Sequence, residues 1–315
     1  MKKHLPSAII LFALLLVLCL QALAAENSAA DPRSIPSAAA EAAASAPDLQ
    51  ELADPNYAEI LTCTTTNHVL STASTAPTAI LNGRSIGTRA AKSTVNGTVF
   101  VAAVPVLEAL FPTVTTVTEG ACLTASGPGF ALRALVGDPY FSMNGHYLYV
   151  PDTVLEQNGE ILLPASLLAE ALGCSLSWTE GTQMLMLKQV GPVVSAKSYP
   201  EEDLYWLSRA IYSESGNQPM AGRIAVGTVI LNRVASQQFP NTIKEVIFAP
   251  GQFSPVANGT IYRTPDAESV IAAKLCLDGA REAGESLYFN VTSMYSWADQ
   301  SRDYVCTIGG HNFYL

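Results

Sequence analysis

Positive charge is scarce in this 315-residue chain: 17 Lys and Arg stand against 27 Asp and Glu, a formal net charge of −10. Nucleic acid and anionic lipid both call for a cationic face, and the composition supplies none. Histidine is scarcer still, with His4, His68, His146 and His311 the only four, and one of them after residue 200. A zinc amidase needs a spaced set of nitrogen, sulfur or carboxylate ligands, so that class lacks its metal site, and no cofactor is expected. Six cysteines without CxxC spacing make neither a disulfide scaffold nor a zinc ribbon. Cys276 and Cys306, the two in the C-terminal part, read either as a pair or as ordinary buried thiols. Large apolar residues are nearly missing from residues 25 to about 60, an Ala/Ser/Pro-rich stretch that cannot bury a core and reads as a tether to residue 76.

What is present begins with Met1-Lys-Lys-His, an apolar run from Ala8 to Leu20 and the small-residue end Ala22-Leu-Ala24. This is the layout of a secretory signal peptide over residues 1–24. The run is short for a membrane span, and Leu18 is bulky where a lipoprotein site at Cys19 needs a small residue. The expected product is exported, soluble and not inserted in a membrane after signal removal.

Residues 77–190 contain an internal repeat with a shift of 62 residues. Leu81-Asn82-Gly83 returns as Met143-Asn144-Gly145, Asn96-Gly97 returns as Asn158-Gly159, and Leu107-Glu-Ala-Leu110 has its counterpart in Leu168 to Leu172. In the second copy, Glu160–Leu163 suits a strand and Pro164–Leu172 a short helix capped by Gly173. Cys174, Leu176 and Trp178 then alternate with serines, and Glu180-Gly181 turns the chain into a return strand. On the Asn-Gly turns, Leu162-Leu-Pro-Ala-Ser-Leu-Leu-Ala-Glu-Ala-Leu-Gly173 and the Trp178 strand, this region resembles the copper amine oxidase N-terminal-like domain, a paired α+β module of exported proteins. The first copy departs from the pattern, with Ala102 in place of Pro164 and Phe111-Pro112 in place of Gly173. No copper site follows, since lone His68 and His146 are no ligand set. The resemblance implies a spacer or wall-contact module. Gly191 to Pro200 reads as a linker.

From Glu201 the texture is helical. Leu204, Leu207 and Ile211 form an apolar stripe, and three further residues along it lies Glu214. A carboxylate on a buried stripe is disfavoured as an anion, which raises its pKa towards the range a general acid needs. A helix-end Glu that turns to solvent before Gly216 fits the same pattern. Asn217 and Pro219 predict the start of a second, largely apolar helix through Val234, whose Gly222 and Gly227 imply close packing. Thr242-Ile-Lys-Glu245 is a capping box, and Thr264-Pro265 predicts the start of a further helix running to Gly279. Beyond Gly284, Ser286–Asn290, Tyr304–Thr307 and His311–Leu315 read as short strands. The fold class expected is α+β: a helix-rich domain with a small β element over residues 201–315, after a separate α+β two-repeat module.

The phrases Trp206-Leu-Ser-Arg-Ala-Ile-Tyr-Ser-Glu214-Ser-Gly-Asn-Gln-Pro219, Ala225-Val-Gly-Thr-Val-Ile-Leu-Asn-Arg-Val234, Phe239-Pro-Asn-Thr-Ile-Lys-Glu-Val-Ile247, Pro250-Gly-Gln-Phe253, Leu287-Tyr-Phe-Asn290, Trp297 and Ile308-Gly-Gly-His-Asn-Phe313 stand in order. With these, residues 203–315 resemble the cell wall hydrolase family of the spore-cortex-lytic enzymes SleB and CwlJ. That resemblance implies a lysozyme-like fold and cleavage of the MurNAc–GlcNAc bond of peptidoglycan, with Glu214 as the catalytic acid and lytic transglycosylation as the reaction. It also implies a secreted location at the cell wall or spore envelope, and peptidoglycan glycan strands as the partner.

Around the acid, Gln252, Tyr288, Asn290 and His311 offer amide, phenol and imidazole groups for sugar recognition, and Phe253, Tyr262 or Trp297 a face for stacking. Each has a structural alternative: Phe253 and Trp297 as core, Asn290 as a turn residue, His311 as a buried histidine. Asp266 and Glu268 suit the first turn of a helix, while Asp299 or Asp303 could activate a water. Val291 replaces the Pro that commonly follows the family's Tyr-Asn pair, so substrate contacts along 291–303 are expected to differ. The competing reading is a non-catalytic wall-binding or spore-structural protein.

Overall fold

The computed structural model describes residues 78–92, 97–180, 182 and 184–315. The expected signal peptide (1–24), the tether (25–76) and Asn96 of the first repeat lie outside the described residues. In the first copy, strands β1 (Thr78–Leu81) and β2 (Arg84–Lys92) form a hairpin. It is followed by β3 (Val99–Ala102), helix α1 (Ala103–Leu110), β4 (Thr115–Glu119) and β5 (Cys122–Gly127). Strand β6 (Phe130–Leu135) intervenes. The second copy then repeats the order with β7 (Tyr140–Met143), β8 (His146–Tyr149), β9 (Leu155–Gln157), β10 (Glu160–Pro164), helix α2 (Ala165–Ala171), β11 (Cys174–Thr179) and β12 (Met184–Gln189). Asn82-Gly83, Asn144-Gly145 and Asn158-Gly159 all have positive φ, as two-residue hairpin turns require.

The copies are interleaved. The hairpin that closes each copy joins the sheet that the other copy opens: β12 pairs in parallel with β1, while β4 and β5 reach β7 and β8 through β6. At the centre β3 and β10 pair antiparallel, with Val101 opposite Leu163, and each strand leads directly into its helix. Ala102 occupies the helix-entry position that Pro164 occupies in the second copy, so the degraded first copy keeps the shape. Phe100, Leu107, Phe141, Leu163 and Leu168 meet in one core.

The C-terminal part is built on α3 (Glu201–Ser215), α4 (Met220–Ala235), α5 (Ile243–Phe248), α6 (Ser254–Ala257), a 3-10 turn at Thr260–Tyr262 and α7 (Ala267–Leu277). Three acidic residues open α3, where the helix dipole favours them. Thr242 caps α5 as the capping box predicts, its hydroxyl accepting from the Glu245 amide at 3.2 Å. Two helix starts differ from expectation. Helix α4 begins at Met220 behind Pro219, because Asn217 sits in the preceding turn. The cap of α7 is Asp266, whose carboxylate accepts from the Ser269 amide at 2.8 Å, so Thr264-Pro265 leads in from outside. Helix α4 is central as expected. A Cβ on its Gly227 would lie 2.6 Å from Cys276 Sγ of α7 and 3.0 Å from Ile211 Cδ1 of α3, so glycine permits the three-helix contact. Cys276 and Cys306 are both free thiols.

Strands β13 (Tyr288–Val291), β14 (Tyr304–Ile308) and β15 (His311–Tyr314) form an antiparallel sheet with β15 in the middle. Between β13 and β14 stands a short helix α8 (Trp297–Ser301), within the 291–303 stretch. Residues 191–200 are a tied strap. Val194 N donates to Ala171 O, Lys197 N to Asn144 O, and Lys197 Nζ to Leu277 O at 3.2 Å, so the strap bonds to both parts of the chain.

Candidate active site

Glu214 lies on the last turn of α3, half-buried, one turn beyond the fully buried Ile211. Burial pushes its pKa from the ordinary 4.5 up to about 7, and the positive charge of Arg233 pulls in the opposite direction. The corner behind it is fixed. Arg223 of α4 donates through Nε to Gln218 O at 3.0 Å and through Nη2 to Gly216 O, and Gln218 Oε1 accepts from Gly310 N at 2.7 Å.

Arg233 is the residue that sequence reasoning passed over. It is 4% exposed, its Nε donates to Leu287 O at 2.8 Å, and its Nη1 is buried without a partner. Its guanidinium faces the rings of Phe239, Phe253 and Tyr288 at 5.1, 5.3 and 5.6 Å. Burial lowers its pKa to about 10, opposed by Tyr288 and Glu214, so it stays cationic at neutral pH. The neighbouring Asn232 Nδ2 donates to Gly284 O and Ser286 O, both at 3.0 Å, so the Asn-Arg pair of α4 clamps the chain entering β13 beside the acid. The signal was available. Val226, Val229, Ile230 and Arg233 share one apolar stripe, the same reasoning that selects Glu214.

The other predicted residues divide. Tyr288 is half-buried between the acid's cation and Arg302, whose Nη2 donates to its hydroxyl at 3.0 Å. Trp297 is 57% exposed and stands edge-on to Tyr288 with ring centroids 5.6 Å apart, so it is a surface residue with a free face. Tyr262 is equally exposed and rests on Trp206. Phe253 is 4% exposed, which leaves no ring face for a sugar; it walls Arg233 instead. Gln252 lies on an exposed turn after α5. The amide of Asn290 is occupied: Nδ2 reaches Asp299 Oδ2 at 2.7 Å, Ser296 Oγ at 2.8 Å and Met294 O at 3.2 Å, and Oδ1 accepts from Tyr314 at 3.2 Å. It fastens the 291–299 segment rather than presenting a free amide. His311 is buried against Phe289, its Nδ1 has no partner, and burial lowers its pKa.

Of the candidate second carboxylates, Asp266, Glu268 and Asp299 are engaged elsewhere, and Asp303 is exposed. Asp266 and Glu268 bind Arg223 at 2.6 and 2.9 Å. Asp299 is held down to about 2 by its hydrogen bond from Tyr314 and others from Ser296 and Asn290, and it closes the capping box of α8.

Fold and site together define an α+β protein whose helical C-terminal domain half-buries one proton-holding carboxylate beside a caged arginine. Residues 217–314 match the family described as Cell Wall Hydrolase, and residues 62–187 match the copper amine oxidase N-terminal domain. The chain belongs to the cell wall hydrolase family through this C-terminal domain. A 119-residue stretch is 39% identical to the spore cortex-lytic enzyme of Bacillus cereus, covering 36% of this chain and 45% of that protein. The enzyme of the same description from Halalkalibacterium halodurans is 37% identical over 119 residues, with 36% and 35% covered. Among solved structures, the catalytic domain of the germination-specific lytic transglycosylase SleB from Bacillus anthracis is 37% identical, with a TM-score of 0.36, covering 38% of this chain and 98% of that one. The chain spans less than half the length of the curated relatives it matches. The matched family span opens just after Glu214, so the acid's assignment rests on its burial and charge environment.

Proposed function

We propose that this chain is an exported enzyme that cuts the MurNAc–GlcNAc bond of peptidoglycan strands in spore cortex or cell wall, acting as a lytic transglycosylase in a lysozyme-like cleft. The observation that carries this reading is Glu214: a half-buried carboxyl whose pKa of about 7 lets it hold a proton at neutral pH. Glu214 gives that proton to the glycosidic oxygen as the C1–O bond breaks. The resulting carboxylate, beside the Arg233 cation, then takes the proton of the MurNAc 6-hydroxyl as its oxygen closes on C1. The products are a 1,6-anhydro end and a free GlcNAc hydroxyl, with no water consumed. One protein carboxylate suffices, because the nucleophile belongs to the substrate; hydrolytic glycosidases ordinarily use two. The engagement of Asp266, Glu268 and Asp299 by their own partners supports the single-acid route.

The test is mass analysis of the muropeptides released from purified sacculi. Anhydro-muramyl ends are expected. Reducing ends one water heavier would make the enzyme a muramidase, freed stem peptides would place the cut outside the glycan, and binding without product would leave a wall-binding protein.

A further inference from the structure

Two arginines share one aromatic ring. The guanidinium of Arg233 lies 5.6 Å from the Tyr288 centroid and that of Arg302 lies 4.4 Å from it, yet the ion pairs among the described residues engage His146, Lys197, Arg223 and Lys244 and neither of these two. In a chain of net charge −10, two cations gathered without a carboxylate bridging them run against the composition. Arg233 has the Glu214 carboxyl in its field. Arg302 is in no ion pair among the described residues. Asp299, three residues before it, is committed to Tyr314, Ser296 and Asn290.

Arg302 is nevertheless held in place. Its guanidinium lies 4.4 Å from the Tyr288 centroid and 4.8 Å from that of Trp297, its Nη2 donates to the Tyr288 hydroxyl, and its Nε is buried without a partner. Contact with two rings that stand at 76° to each other confines the guanidinium, and with Nε buried and Nη2 donating to Tyr288, Nη1 is the donor left for a carboxylate. Trp297, 57% exposed, places this shelf at the surface, one ring out from Arg233. The platform is rigid, because the Ser296–Asp299 capping box and the Asn290 amide tie α8 to β13.

We propose that Arg302, set on the Tyr288–Trp297 shelf, reads a carboxylate carried by the glycan strand and so selects acidic strands over neutral ones. Two groups on peptidoglycan have this chemistry: the lactyl carboxylate of a muramic residue that bears no peptide, and the carboxylates of a stem peptide where one is joined through that lactyl group. This rests on the glycan-cleaving reading above and names what the outer part of that site recognises.

The test compares the full chain with Arg302→Gln on three preparations: intact sacculi, strands stripped of their peptides so that the lactyl carboxylate is free, and sacculi whose carboxylates have been converted to amides with carbodiimide and ammonia. The wild type is expected to show a KM roughly tenfold lower on carboxylate-bearing strands than on amidated ones, the effect of one charge-assisted hydrogen bond. Arg302→Gln should lose that preference through KM, its KM on carboxylate-bearing strands rising to the level of its KM on amidated ones. A KM lower on stripped strands than on amidated sacculi assigns the lactyl group, and a preference confined to intact sacculi assigns the stem peptide. Arg302→Lys, which keeps the charge, should recover part of the preference and carries the test if the glutamine variant is unstable. Equal wild-type KM values on all three preparations, or an equal loss on all three in the variant, would overturn the proposal. A wild type that cleaves none of the three instead refutes the glycan-cleaving reading, and this inference with it.

Discussion

At the scale of single residues, the chemistry turns on how one carboxyl and one guanidinium share a half-buried space. A general acid must be protonated, so kcat/KM on glycan strands should fall as pH rises through about 7, the value to which burial lifts Glu214. Arg233→Met removes the charge that opposes that lift, and the falling limb should move to higher pH; mere structural damage would lower the profile without moving it. The same shift links to stability. A group whose folded pKa of about 7 exceeds its ordinary 4.5 contributes stability that is fully present below 4.5 and lost as pH passes 7. Glu214→Gln should therefore be more stable than wild type at pH 8.5, by up to about 3 kcal/mol in urea unfolding, with the difference gone near pH 4. Glu214 and Arg233 were both legible as polar residues on apolar helical stripes. The cage of Phe239, Phe253 and Tyr288 was not, because those rings come from segments far apart in sequence and meet only on folding.

At the scale of elements, close packing fixes where the acid stands. Gly227 lets α4 approach α3 and α7, and Gly227→Ala forces Cβ against the Cys276 sulfur and Ile211. Overpacking of about 1–3 kcal/mol should outweigh the roughly 1 kcal/mol of helix propensity gained. Urea unfolding of the variant should show a lower midpoint. The glycine and its reason could be read from the sequence, since a glycine inside an apolar helix rarely has another use. Its companion Gly222 gave the same signal with a different outcome: an added Cβ there meets the side chain of Gln218, the residue that holds the turn at Gly310. Helix α8 was hidden because five residues carry no periodicity, and only the Ser296–Asp299 cap announces it.

At the scale of the whole molecule, the repeat module and the hydrolase domain are joined through Asp278, at the end of α7. Its carboxylate is 5% exposed and accepts from Lys197 and Tyr199 of the strap, from Tyr147 N at 2.7 Å and from His146 at 3.2 Å, while Tyr149 bonds Glu282 at 2.8 Å. Tyr140, Tyr147 and Tyr149 also pack against the hydrolase core. Asp278→Ala should cost about 3 kcal/mol by stranding these donors and should split a single calorimetric transition into two. The composition of residues 191–200 announced a connection between two parts, but not that it is bonded to both, since partners such as Asn144 and Leu277 lie 50 and 80 residues away. The central claim is that Glu214 supplies the proton that breaks the glycan strand. It is tested most directly by counting new glycan ends formed from purified sacculi by the full chain and by Glu214→Gln, with sacculus binding measured alongside. The predicted result is unchanged binding and a loss of end formation of roughly 10²–10⁴-fold in the variant; a Glu214→Gln chain that cuts at the wild-type rate would contradict it.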